Sequence, residues 1–302
     1  MPSLPRLPSI PGPTLGGWQW WTDRRITPAG WRVQRHVVTG HHRLLNDRNW
    51  RLATGDLRSC LRGLKACPVS PPRDTVILLH GLSRTRRAMQ RLGDHLRGSG
   101  FDVLNFSYAS TRADVDLHAR ALCDVLGGLA VGTTVHFVGH SLGNLIVRRY
   151  FRLFPQKHGD LSWGNCVMLA PPNSGSALAR WLHKTPVVRP FLTTLLGRSG
   201  LSIAMWRELS SGLATAAEMP VKVGVIAADF RVTNPLVGRG DLIVSVEETR
   251  LDGAEHLVVP GNHTLLMRDP YVLTLTTRFL KHGRFSSDPL TAPADEQPQT
   301  TV

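Results

Sequence analysis

The stretch Thr133–Phe151, TTVHFVGHSLGNLIVRRYF, decides how the rest of the chain is read. Its first half, TVHFVG, is a short apolar run with β-branched residues, the mark of a buried strand. The segment that follows the join, LGNLIVRRYFRLF, spaces its apolar residues as a helix does and stops at Pro155. Ser141 sits at the join, inside Gly139-His140-Ser141-Leu142-Gly143. Alone, a G-x-S-x-G pattern is common by chance. Between a strand and a helix it gains a physical meaning. The turn forces the serine backbone into strain and admits only small neighbours. The competing reading is a serine that merely caps a helix, which would not need glycine on both sides.

Outward from this stretch the pattern repeats. TVILLH, FDVLNFSY, NCVMLA, VKVGVIAA and HLVV read as further strands. Between them lie an arginine-bearing helical segment ending at Gly98 and a helix over Asp114–Leu126. The second has Val115, Leu117, Leu122, Val125 and Leu126 near one face. YVLTLTTRFLKH closes the series as a helix. Alternating strands and helices predict right-handed crossovers and a mainly parallel sheet. Ligands of such sheets bind beyond the carboxyl ends of the strands, so reactive residues should gather where strands stop.

A serine hydroxyl is a weak nucleophile without a base, and the base needs an orienting carboxylate. With a strand–serine–helix turn the chain order is serine, acid, histidine. Downstream lie His158, His183, His256, His263 and His282. Only His263 follows the last strand in a glycine-flanked loop, VVPGNHTLLMRDP, and it is the expected base. Two acids are candidates. Asp229 ends the strand VKVGVIAAD, and Asp241 follows a glycine in GRGDLIVSVEETRL and precedes an apolar run. Asp252 and Asp269 read as turn and capping residues. A tetrahedral intermediate also needs an oxyanion hole. Its donors are expected to be the N–H groups of Leu142, after the serine, and Leu82, where His80-Gly81 ends the strand TVILLH and lets the chain turn back.

With LLHGL, GHSLG, LAPPNSGS, GDLIVSVEETRLDG and GNHTLLMRDP in this order, residues 74–282 resemble the α/β-hydrolase family, bacterial lipases and esterases in particular. The resemblance implies an α/β-hydrolase fold, a mainly parallel central sheet flanked by helices. It favours Asp241 over Asp229 and maps the oxyanion donors onto Leu82 and Leu142. Asn144 departs from the pattern, standing where these lipases often have a second glycine. Residues 176–218, between the strand ending at Ala170 and the one starting at Val221, would be a helical cap or lid inserted after the sixth core strand. The implied function is a serine hydrolase cleaving carboxylic esters through an acyl-enzyme, without metal or cofactor. The same parts would serve an amidase, a thioesterase or an acyltransferase, or survive as a relic in a lipid-binding protein.

The net charge of +14 is uneven: residues 1–73 carry 12 Lys/Arg against 3 Asp/Glu. Trp18, Trp20, Trp21 and Trp31 cluster there, and WRVQRHVV meets RLL across TGHH as an antiparallel hairpin packed on the core. DLRSCLRGLKA reads as a short helix before the breaker PVSPP. Peripheral contact with an anionic membrane is one expectation for this extension; no nucleic-acid motif accompanies it. Cys60, Cys67, Cys123 and Cys166 lack metal-ligand spacing and read as reduced thiols, a Cys60–Cys67 bridge being the alternative. No apolar run is long enough to span a membrane, and the N-terminus lacks the features of a secretory signal, which makes a cytoplasmic location the expectation. Residues 283–302 read as a disordered tail.

Overall fold

The structure, a computed structural model, describes residues 12–14, 19–67, 71, 73–176, 211–230 and 238–286. Two sheets divide these residues.

The larger sheet has six strands, all parallel. In chain order they are β6 (Thr75–Leu79), β7 (Asp102–Phe106), β8 (Thr134–His140), β9 (Ser162–Leu169), β10 (Lys222–Asp229) and β11 (Glu255–Pro260). Across the sheet the order is β7-β6-β8-β9-β10-β11. Strands β6 and β10 are apolar without alternation because both faces are covered, whereas the edge strand β11 fully buries only Val259. On one face Ile77, Leu79, Phe137, Cys166 and Met168 pack with helices α3 (Val115–Leu126) and α4 (Leu142–Leu153). On the other, Val76, Leu78, Val138, Val167 and Leu169 meet α2 (Gln90–Gly98) and α5 (Pro270–His282). Each fully buried Leu, Ile, Val or Phe contributes about 1.5–3 kcal/mol over its exposed state.

Local chemistry fixes the helix ends. Asp114 caps α3 by accepting from the Leu117 N–H, and Asp269 caps α5 by accepting from Tyr271 and Val272. Gly283, at φ 69°, closes α5 in the left-handed region. Leu117 differs from expectation: it is 48% exposed, and His118, Ala119 and Cys123 share the buried face in its place. The expected tail starts later than residue 283. Phe285 is buried against Phe279, and its N–H donates to the Glu255 carboxylate.

The N-terminal region forms a five-stranded antiparallel sheet, ordered β1-β5-β4-β3-β2. Its strands are β1 (Gly12–Pro13), β2 (Trp21–Ile26), β3 (Arg32–His36), β4 (His42–Leu45) and β5 (Trp50–Gly55). The middle pair β3–β4 is the hairpin read from the sequence. Its neighbours β2 and β5 were not, because each is short and arginine-bearing. Register shifts at Asp23/Arg25 and Leu44/Leu45 also break their alternation. Helix α1 (Leu57–Leu64), capped by Asp56, packs Cys60 against Val33 and Leu44. Of the four clustered tryptophans, Trp20 is exposed, Trp21 and Trp31 are half-buried, and Trp18 lies outside the described residues.

All four cysteines are buried free thiols, so Cys60 and Cys67 are not bridged. Among the described residues no helix is long and apolar enough to cross a membrane. The strand preceding the expected cap, β9, is fourth along the chain in the large sheet. Most of that segment, residues 177–210, lies outside the described residues, as do residues 287–302 of the tail. Residues 211–219 return along α4, where Arg148 Nε donates to Ala214 O at 2.8 Å and Arg152 pairs with Glu218.

Candidate active site

Four loops leave the carboxyl ends of β6, β7, β8 and β11 on one edge of the parallel sheet. They carry residues 80–84, 107–111, Ser141 and His263.

Ser141 follows β8 directly and heads α4 at φ 51°, ψ −118°. A non-glycine residue there stores about 1–3 kcal/mol of strain. Its hydroxyl makes no capping hydrogen bond, so the helix-cap reading fails. The flanking glycines are required by close approach. A Cβ on Gly143 would lie 2.5 Å from Leu79 O, and one on Gly139 would lie 2.2 Å from Asn144 Oδ1. The Ser141 N–H donates to Leu169 O at 2.9 Å. Asn144, the departure from the lipase pattern, staples this turn: its Nδ2 donates to both Ser141 O and Leu169 O at 3.1 Å.

His263 Nδ1 lies 2.5 Å from Asp241 Oδ2. The carboxylate can only accept, so the imidazole carries its proton on Nδ1. The other Asp241 oxygen accepts the N–H groups of Ile243 and Val244 at 3.0 and 2.8 Å. With Asp241 only 1% exposed and the following Leu242 at φ 78°, the acid is fixed by a tight, strained loop. The other candidate acid, Asp229, ends β10 as expected and accepts from Arg239 Nε at 2.6 Å. It is thus Asp241 that the structure shows bonded to His263.

A strained serine between strand and helix, with a buried acid–histidine pair on the same edge of a parallel sheet, has a counterpart in sequence. A profile described as the alpha/beta hydrolase family matches residues 76–292. The chain belongs to the alpha/beta hydrolase family. Among solved structures, the mature form of Bacillus licheniformis lipase BlEst2 superposes on this hydrolase with a TM-score of 0.55 at 14% identity. The match covers 71% of this chain and 96% of that one. The propeptide form of the same lipase gives 0.52 at 15% identity, over 67% of this chain and 49% of that one. At such identities the likeness shows the fold alone. Among curated protein sequences, none matches the chain.

The two expected oxyanion donors lie just after β6 and β8. Leu142 is the first residue of α4, so its N–H has no partner within the helix and lies at the positive end of the helix dipole. Leu82 is half-buried against the α3/α4 core in the loop after β6. The chain turns back after Gly81 as expected, with the Arg84 N–H donating to Gly81 O at 3.3 Å, and within this turn it is Ser83 that sits at φ 56°. What Gly81 supplies is space, since a Cβ there would be 2.8 Å from His140 Nδ1. Of the other histidines, His256 bonds Thr249 Oγ1, His158 bonds Cys123 O, and His282 ends α5; His183 lies outside the described residues. No group of three or more His, Cys, Asp or Glu residues arranged to hold a metal occurs among the described residues.

Several residues at the site were not singled out from the sequence. His140, the variable position of the serine motif, donates from Nε2 to His263 O at 2.8 Å and so ties the serine loop to the histidine loop. Burial first, and the neighbouring His263 second, hold its pKa well below the ordinary histidine value, so it stays neutral. Arg84 Nη2 donates to Thr264 Oγ1 at 3.0 Å, beside His263. Tyr108 stacks on His80 at 4.1 Å and its hydroxyl donates to His80 O. A histidine beside the serine was a visible signal; Arg84, the tyrosine and its stacking were not.

Proposed function

We propose that this hydrolase cleaves carboxylic esters, as a lipase or carboxylesterase, with Ser141 as nucleophile, His263 as base and Asp241 as the acid. His263 Nε2 takes the Ser141 proton as Oγ attacks the carbonyl carbon. The oxyanion is received by the N–H groups of Leu82 and Leu142. Asp241 holds the Nδ1–H tautomer and stabilises the imidazolium. The imidazolium then protonates the leaving alkoxide. Water, deprotonated by the same histidine, releases the acid and restores Ser141. No step draws on a metal or cofactor.

The observation that carries this reading is the strained backbone of Ser141, φ 51° and ψ −118°, on the sheet edge that also holds the 2.5 Å Asp241–His263 bond. A helix-capping serine has no reason to store that strain. The lipase name of the structural neighbour accords with an ester substrate.

The test is a series of p-nitrophenyl esters of increasing acyl length, read with purified protein. Ser141→Ala should reduce turnover to background with the fold intact. Asp241→Asn should lower kcat on the order of 10⁴-fold, as loss of the correct tautomer does, and Asp229→Asn less than about tenfold. Full ester turnover by folded Ser141→Ala sinks the reading; a large loss in Asp229→Asn alone reassigns the acid.

A further inference from the structure

The loop after β6 has to hold the Leu82 N–H within tenths of an ångström of the position an oxyanion occupies. Its own backbone works against this. Ser83 lies at φ 56°, so an untied loop gains by relaxing.

One of its ties comes from outside the hydrolase domain. The Gln19 side chain bridges two loops at the carboxyl ends of adjacent strands. Nε2 donates to Arg84 O at 2.8 Å. Oε1 accepts from the Thr111 N–H at 2.9 Å and from the hydroxyls of Ser110 and Thr111, each at 3.2 Å. The orientation of the amide is forced, because a carbonyl oxygen can only accept and a backbone N–H can only donate.

Strand β2 carries Gln19 to this place and anchors beside it. Asp23, fully buried, accepts the Ser107 N–H at 2.7 Å, and its own N–H donates to Ser107 O at 2.9 Å. Thr22 Oγ1 accepts the Ala109 N–H at 3.2 Å. Arg84, held at its carbonyl by Gln19, reaches with its guanidinium to Thr264 next to His263. Contacts thus run without a gap from the N-terminal sheet to both the oxyanion loop and the histidine loop.

We propose that the N-terminal sheet is a working part of the hydrolase site, with Gln19 as the positioning residue that fixes the oxyanion loop through the Arg84 carbonyl. This rests on the ester-hydrolase reading for its kinetic consequence, though not for its structural one. Oxyanion contacts act on the transition state far more than on bound substrate, so a loosened loop lowers kcat and leaves KM nearly unchanged.

Two variants separate the arms. Gln19→Gly removes both and relieves the φ of 54° at this position, so strain cannot account for its effect. Gln19→Glu keeps the acceptor for Thr111 but cannot donate to Arg84 O. Both should lower kcat about tenfold, with KM within about twofold of wild type, a tie at one remove being worth less than the 10²–10³-fold of a direct donor. Amide hydrogen exchange should rise at residues 81–84 in both variants, and at 110–111 only in Gln19→Gly. Unchanged exchange at 81–84, or unchanged kcat in a variant that does exchange faster there, overturns the proposal. If wild type itself turns over no ester, it is the function reading that has failed, and the exchange measurement, which needs no substrate, still decides whether Gln19 holds the loop.

Discussion

Strand β8 buries six of its seven residues, and its core contacts are made largely by hydrocarbon, Val135 and Phe137 on one side and Val138 on the other, with His136 edge-on to Phe101. Strand β3 is also mostly buried, yet two of its three buried residues are Arg32 and Gln34. Around them runs a polar network. Asp23 accepts from Arg32 Nη1 at 2.9 Å and Gln34 Nε2 at 2.8 Å, and Gln34 Oε1 accepts from Arg43. The first sheet gains from every methylene removed from water. The second sheet gains little net energy from its ion pair, because desolvation offsets most of the attraction. What the network provides is direction: a buried carboxylate aligned on the Ser107 N–H sets β2 in one register against the hydrolase domain.

Breaking the two sheets should therefore look different. Phe137 is fully buried and stacks edge-on against Phe151, and Phe137→Ala should cost about 3–5 kcal/mol in a urea unfolding titration. Asp23→Ala should cost nearly as much, about 3–5 kcal/mol, by stranding Arg32 and the Ser107 N–H. The difference appears on removing both partners. Asp23→Leu with Arg32→Met should recover part of the loss, since the ion pair can be exchanged for hydrocarbon while the Ser107 N–H and Gln34 Nε2 still lack their acceptor. No second substitution should rescue the cavity at Phe137 so simply. If the Asp23/Arg32 double variant is as unstable as Asp23→Ala, the network contributes more energy than this account allows.

A smaller effect comes from the buried histidines His80 and His118. Burial lowers the pKa of His80 to about 4 and that of His118 to about 3. Their folded pKa lies below the unfolded one, so stability is complete above about pH 6.5 and is lost as pH falls toward 4. The urea midpoint should drop between pH 6.5 and 4.5, before most carboxylates titrate, and His118→Phe should flatten that slope. An unchanged midpoint over this interval contradicts neutral burial of both rings.

The comparison also explains what the sequence could disclose. The strands of the large sheet were legible because burial on both faces leaves continuous apolar runs such as TVILL and VKVGVIAA. The Ser141 turn was legible because its glycines are demanded by contacts with Leu79 and Asn144 that no other residue permits. His263 could be singled out by its glycine-flanked loop after the last strand, whereas Asp229 stayed beside Asp241 as a candidate acid until the resemblance favoured Asp241. Strand β2 was illegible, since its buried face holds Asp23 and its register shifts before Arg25. Gln19 and Arg84 left no pattern either: they meet backbone carbonyls and hydroxyls up to 180 residues away, and no spacing rule records such a contact. Polar anchoring to backbone is specific in space and silent in sequence.

The most direct measurement is covalent labelling of the folded, full-length protein with a fluorophosphonate, mapped by peptide mass spectrometry. This account predicts one adduct, on Ser141, formed rapidly in wild type and slowed by orders of magnitude in His263→Ala. A folded protein that takes no label, or takes it equally fast without His263, contradicts the claim that Ser141 is an activated nucleophile.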